Sequence, residues 1–169
     1  MPVIVGIVTA STREAVRQAQ QAEQVGASGL LVVTPFYSKP SQEGIIAHVE
    51  AVCRTSDLPI ILYNNPGRAA RPMSLETIDH LAIHPQVVAI KESSQSIPFA
   101  SSITSLPLLS GDDAMTLPLM SLGAVGVIAT LSNLFPEEMG ALVRAASKGE
   151  YDLASELHHQ LMPLFTALS

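Results

Sequence analysis

Short apolar runs alternate with longer amphipathic stretches along the whole chain, and this alternation limits its possible folds more than any other feature. The runs at residues 3–8, 29–34, 59–63, 87–91, 108–110 and 126–129 are rich in Val, Ile and Leu, as strands buried in a sheet are. Helical periodicity and helix punctuation lie between them. Ser11 and Glu14 have capping-box spacing, Ala15, Val16, Ala19, Ala22 and Val25 make an apolar face, and Gly26 ends it. A second predicted helix begins near Ser41 and buries Ile45, Ile46, Val49 and Val52. A third opens at Ser74 and carries Leu75, Ile78, Leu81 and Ala82 as far as Pro85. Shorter helices follow Pro98 and carry Leu117 and Met120 up to Gly123. Pro136-Glu137-Glu138 places proline and acids in a first turn, where both are favourable, and Gly149 closes that helix. The last predicted helix covers 152–168, with Leu153, Leu157, Leu161, Leu164 and Leu168 on one side.

Strand and helix in strict alternation imply a parallel sheet with right-handed crossovers. A doubly wound open sheet usually carries a Gly-rich phosphate loop after its first strand, and Gly6-Ile7-Val8-Thr9-Ala10 is not one. A (β/α)8 barrel gathers polar functional residues at strand C-termini. Thr34, Tyr63-Asn64, Lys91 and Gly111-Asp112-Asp113 stand at such ends, and Ser132-Asn133 lies just beyond the last. The expected fold is therefore α/β and barrel-type, represented by about six strand–helix units and one C-terminal helix. Residues 1–149 are expected to form the partial barrel and 150–169 to begin a C-terminal helical extension.

Composition narrows the function. With 169 residues and 47% hydrophobic content, the chain can bury one ordinary core. A net charge of −6 with nine scattered basic residues argues against nucleic acid and against an anionic membrane surface, leaving a small molecule as the expected ligand. The single cysteine, Cys53, fits a reducing compartment, the cytoplasm, and reads as a small core residue. No CxxC or Cys/His spacing suggests a metal site. His48, His80, His84, His158 and His159 share no ligand spacing and read as solvated, and Asp112-Asp113 reads as a cap for the following helix.

Val87-Val88-Ala89-Ile90 reads as a strand buried on both faces, and it ends in Lys91. Held at the mouth of an apolar strand, a lysine is partly desolvated, which disfavours the ammonium and frees an amine to attack a carbonyl carbon. The alternative is a lysine whose head simply snorkels into water. Tyr63 closes the run Pro59-Ile60-Ile61-Leu62, one predicted barrel position away, and could move a proton during carbinolamine formation, or be a packed core tyrosine. Arg68, in the Pro66-Gly67 turn, suits bidentate grip of a carboxylate, or is a solvated loop arginine. Tyr37 adds a second phenol in the loop after Thr34, an interface or lid residue when read alone, and Gly126-Val127-Ile128 supplies backbone carbonyls near the same rim.

Taken together, Thr34-Pro35-Phe36-Tyr37, Pro40-Ser41-Gln42-Glu43-Gly44, Tyr63-Asn64-Asn65-Pro66-Gly67-Arg68, Ile90-Lys91-Glu92, Leu109-Ser110-Gly111-Asp112-Asp113 and Gly126-Val127-Ile128 resemble the dihydrodipicolinate synthase / N-acetylneuraminate lyase family. The resemblance runs over essentially the whole chain. It implies a class I pyruvate-dependent aldolase on a (β/α)8 barrel, with no cofactor beyond a covalent lysine–pyruvate imine. By this resemblance Lys91 is the Schiff-base lysine, Tyr63 the proton-transferring phenol, and Tyr37 the tyrosine passed across a tight-dimer interface into a neighbour's site. Ile128 matches the position whose main-chain carbonyl faces the pyruvate end of the pocket, and Gly111 is a further implied substrate-binding position. Arg68 matches the arginine that holds the carboxylate of aspartate semialdehyde in dihydrodipicolinate synthases, which favours that branch, lysine and diaminopimelate biosynthesis, and a homo-oligomer.

Two departures qualify the resemblance. Ala69 stands where the family usually has threonine after the arginine. The family's first two strand–helix units, with a Gly-Thr-Thr-Gly-Glu loop linking the two tyrosines and holding the pyruvate carboxylate, would precede Val3, and its last helices would follow Ser169. The sequence alone therefore leaves two readings, a pyruvate-condensing lyase or a family member that survives only as an assembled or structural fragment. Either reading leaves apolar strand edges at 3–8 and 126–129, which would recruit a partner or belong to a longer polypeptide.

Overall fold

The computed structural model describes residues 1–168, and these divide into two compact units. The first comprises Met1–Ile90 with Ser102–Leu106; the second comprises Lys91–Ser101 and the chain from Pro107 onward. The first unit alternates β1 (Ile4–Ile7), α1 (Thr12–Gln24), β2 (Gly29–Val33), α2 (Gln42–Cys53), β3 (Ile60–Asn64), the short α3 (Pro66–Ala69) and α4 (Leu75–Leu81). It ends within β4 (Val87–Glu92), whose last two residues belong to the second unit.

The strands of the first unit lie in chain order and pair in parallel. Ile4 is opposite Gly29, Leu30 opposite Ile60, and Ile60 N donates to Gln86 O at 2.6 Å on the way into β4. β2 is buried on both faces except at Leu31, as expected of a parallel strand whose crossover helices cover the sheet. Three serines start the helices. Ser11, Ser41 and Ser74 accept from the backbone N–H groups of Glu14, Gly44 and Thr77, satisfying donors that a helix start leaves without partners. Gly26, at φ 78°, takes the left-handed conformation just past α1.

The second unit continues with α5 (Ile97–Ser102), β5 (Leu108–Ser110), α6 (Thr116–Met120), β6 (Gly126–Val127), a 3-10 turn (Leu131–Asn133), α7 (Pro136–Ser147) and α8 (Tyr151–Leu168). β5 and β6 pair in parallel, Leu109 opposite Gly126, and Gly111 N donates to Glu92 O at 2.8 Å. Its core gathers Leu119, Leu131, Met139, Leu142, Leu161 and Phe165. Among the described residues no helix is long and apolar enough to cross a membrane.

Several expectations need correction. Val88 is 43% exposed, so β4 alternates at its N-terminal end and is buried throughout only from Ala89 to Glu92. A strand pattern does not reveal which outward positions the flanking helices leave uncovered. On α8 the buried positions are Ala154, Leu161 and Phe165, while Leu153 and Leu168 are exposed. Small and aromatic side chains complete that stripe, and counting leucines alone misplaced it. Asp113 does not cap α6; its carboxylate accepts from Leu131 N at 2.9 Å and Thr130 N at 3.3 Å, fixing the turn after β6. Residues 128–129 lie beyond β6, although Ile128 N still donates to Ser110 O at 2.9 Å. Ile4 on β1 and its flanking residues Val3 and Val8 are exposed, in line with the apolar edge expected there.

His48 is not solvated. It is 2% exposed on α2, its Nδ1 lies 3.0 Å from the Thr12 hydroxyl, and its Nε2 has no hydrogen-bond partner among the described residues. Burial disfavours the imidazolium and lowers the pKa below the usual imidazole value. A depressed folded pKa means that the unfolded chain binds the proton more readily, so this contribution to stability is complete above about pH 6.5 and declines as pH falls. The thermal midpoint is expected to drop between about pH 6.5 and 5, and His48→Gln to flatten that part of the profile. An unchanged slope in the variant would assign the pH dependence to other groups.

Candidate active site

In the first unit, β3 delivers Tyr63 and Asn64 at its C-terminal end, and the chain turns at once into α3. Asn65 organises this corner. Its Nδ2 donates to the Tyr63 hydroxyl at 2.9 Å, and its Oδ1 accepts from Arg68 N at 3.1 Å. Tyr63 and Arg68 are thus linked through one amide, which sets the phenol and the start of α3 relative to each other. Thr34, fully buried at the end of β2, donates from its backbone N to Tyr63 O at 3.2 Å.

The segment after Arg68 is clamped from below. Asn64, also fully buried, accepts from Met73 N at 3.0 Å. Gln42 donates to Pro72 O at 3.0 Å and accepts from Ser74 N at 2.9 Å and the Thr77 hydroxyl at 2.7 Å. The chain that follows Arg68 is therefore tied to β3 and to the start of α2.

Tyr37 is arranged differently. It is 92% exposed at φ 65°, a left-handed conformation costly for a bulky side chain, and Ser38 N donates to Phe36 O at 2.7 Å across it. Within its own unit the ring is left in solvent, not packed with Tyr63.

In the second unit, Lys91 and Gly111 are packed together. Lys91 is 9% exposed, whereas the other two lysines, Lys39 and Lys148, are exposed. A Cβ built on Gly111 would stand 2.9 Å from Lys91 Cε and 3.1 Å from Glu92 O, and would collide with Ser93 Oγ. Glycine is required here by space, since its backbone lies outside the left-handed region. Ser93 Oγ is itself buried without a hydrogen-bond partner among the described residues. The Glu92 carboxylate, 2% exposed, accepts from Ser94 N and holds the chain as it leaves β4. Ile128, half-buried, is placed beside β5 by its bond to Ser110, the residue before Gly111. Burial pushes the Cys53 thiol up, as befits an inert core residue at the end of α2.

No role follows from the sequence alone for Gln42, Asn65 or Ser93, and for Asn64 only its place at a strand end. All four lay in or beside the motifs already singled out, at strand ends and helix starts where a polar residue needs a partner. That position was the available signal.

Known proteins share this sequence and this fold. The profile of the dihydrodipicolinate synthetase family matches residues 1–169. A 4-hydroxy-tetrahydrodipicolinate synthase of Methanococcoides burtonii is 40% identical over 99% of this chain and 60% of its own length. That of Acidothermus cellulolyticus is 43% identical over 97% of the chain and 54% of its own. The crystal structure of dihydrodipicolinate synthase from Aquifex aeolicus superposes with a TM-score of 0.96 at 42% identity, over 99% of this chain and 59% of that one. The chain thus spans somewhat over half the length of the relatives it matches, and its six strand–helix units are those of an incomplete (β/α)8 barrel. On its sequence and its fold, the chain belongs to the dihydrodipicolinate synthetase family.

Proposed function

We propose that this chain carries the pyruvate-binding and condensing residues of a 4-hydroxy-tetrahydrodipicolinate synthase-like lyase. The carrying observation is the burial of Lys91, alone among three lysines, at the end of β4 with Gly111 against its Cε. The Lys91 amine adds to C2 of pyruvate, and loss of water leaves a covalent imine. Loss of a proton from the pyruvate methyl gives the enamine, whose carbon attacks the aldehyde of aspartate semialdehyde. Tyr63, fixed by Asn65, carries protons to and from the departing hydroxyl. Arg68, its backbone N–H held by Asn65, takes the carboxylate of the second substrate. The main-chain carbonyl of Ile128 and the backbone of Gly111, which packs against Lys91 Cε, border pyruvate. No other cofactor takes part.

Tyr37 serves the site of a second copy in a homo-oligomer. Its exposure and its strained backbone support that role, because strain of about 1–3 kcal/mol persists where function selects it. The single, buried cysteine supports a reducing compartment, the cytoplasm.

The test is borohydride reduction in the presence of pyruvate, followed by intact and peptide mass spectrometry. The expected result is one reduced pyruvyl adduct per chain, mapped to the peptide containing Lys91. An adduct spread over Lys39 and Lys148, or none at saturating pyruvate, would overturn the assignment.

A further inference from the structure

The first unit also assembles three ligating side chains that are scattered in the sequence. Glu50 lies on α2, His80 in the last turn of α4, and His84 in the turn that leads into β4, where Val87 N donates to His84 O at 2.9 Å. Glu50 Oε1 stands 3.2 Å from His80 Nε2 and 3.4 Å from His84 Nε2, and one ligand atom from each residue lies within 4.8 Å of the others.

The two spacings from Glu50 match those around a metal ion. Donors at about 2.0–2.1 Å from a tetrahedral zinc ion are separated by edges of about 3.3 Å, and both measured edges are within 0.1 Å or so of that value. Hydrogen bonding alone would require both imidazoles to present an N–H from Nε2 to the same carboxylate oxygen, while Glu50 Oε2 faces Arg54 Nη1 at 3.5 Å. One divalent ion replaces both protons and satisfies all three groups.

The rings of His80 and His84 are tilted by 60° with centroids 6.4 Å apart, so they converge through their nitrogens instead of stacking. The cluster is open enough for an ion and its water to enter: Glu50 is 26%, His84 32% and His80 49% exposed. It is also braced, because Gln42 ties the N-terminus of α2 to that of α4 by the bonds described above.

We propose that Glu50, His80 and His84 form a three-ligand site for a borderline divalent transition ion, of which Zn2+ is the best fit, with a fourth position left to water. Two imidazoles and one carboxylate suit Zn2+, Co2+ or Ni2+ and are too few and too soft for Mg2+ or Ca2+. The site clips the middle of α2 to the turn that enters the lysine-bearing strand. It is separate from the pyruvate chemistry and shares none of its residues. His80 and His84 are four residues apart in the sequence, whereas the carboxylate beside them comes from a different helix and is brought there by packing.

The full chain is titrated with ZnCl2 by calorimetry and with CoCl2 by visible absorption, beside His80→Ala and His84→Ala. We expect one ion per chain, the intense visible bands of four-coordinate cobalt, and binding weakened at least about tenfold in each variant. The thermal midpoint should rise with ZnCl2 and not with MgCl2, because an ion bound only by the folded chain stabilises it by mass action. Both histidines are partly exposed, so circular dichroism should find the variants folded. Unchanged zinc affinity in both variants would place binding elsewhere, for example at His158 and His159, and would overturn the site. A purely octahedral cobalt spectrum of the unaltered protein, or no saturable binding up to about a hundred times the protein concentration, would do so as well.

Discussion

Lys91→Ala should abolish the borohydride-stable pyruvate adduct, and Gly111→Val should slow its formation by about a hundredfold or more while leaving the lysine in the chain. The first result follows from chemistry, since no other buried amine is available at a strand end. The second follows from space. Even one added carbon at position 111 would stand 2.9 Å from Lys91 Cε and 3.1 Å from Glu92 O, and the two further methyls of valine have less room. The flexible lysine stem must yield before the Glu92 backbone does, so its amine moves by about an ångström, and a displacement of that size can cost about a hundredfold in rate. Gly111→Ala should show the same effect more weakly and guards against a valine variant that fails to fold. Adduct formation at the original rate in Gly111→Val, with circular dichroism unchanged, would show that Gly111 does not control the lysine.

Leu62→Ala is the larger stability prediction. Leu62 is fully buried in β3 opposite Val32, so truncation removes transfer energy and leaves a cavity, at a cost of about 2–5 kcal/mol. For a chain of this size each kcal/mol lowers the thermal midpoint by about 2–4 °C. Val88→Ala, on the next strand, is the matched control. Its side chain is 43% exposed, and the expected change is within about 0.5 kcal/mol. Equal losses in the two variants would mean that the outward face of β4 is covered in solution, for instance by another copy or a further segment of polypeptide.

Much of the fold could be read from local sequence because local physics decides it. The serine caps at 11, 41 and 74 and the stop at Gly26 act over one helical turn, and the structure places each where its spacing predicted. The six strand–helix units were legible for the same reason, since each apolar run is bounded by its own turn residues. Where a residue's environment depends on a distant element, reading failed. His48 sits four residues from Gly44 on an otherwise ordinary helix, and its burial beside Thr12, 36 residues earlier, is set by packing and disfavours its charged form. Asp113 acts on residues 130 and 131, a long-range cap that no local motif encodes.

The candidate site divides along the same line. Lys91, Tyr63 and Arg68 stood out because an apolar strand ending in a lysine or a tyrosine, and a proline–glycine turn bearing an arginine, are visible in one dimension. What holds them was not visible: Asn65 between the tyrosine and the arginine, Gln42 on the segment that follows the arginine, and the packing of Gly111 against the lysine. By itself, then, the sequence determined the order of elements, the family and the candidate site residues, because periodicity, caps and motifs are properties of neighbouring residues. Tertiary structure alone decided which polar groups meet. It buried His48, brought Glu50 to His80 and His84, and set Gly111 against Lys91, because close contact between residues far apart in the chain is fixed by how strands and helices pack.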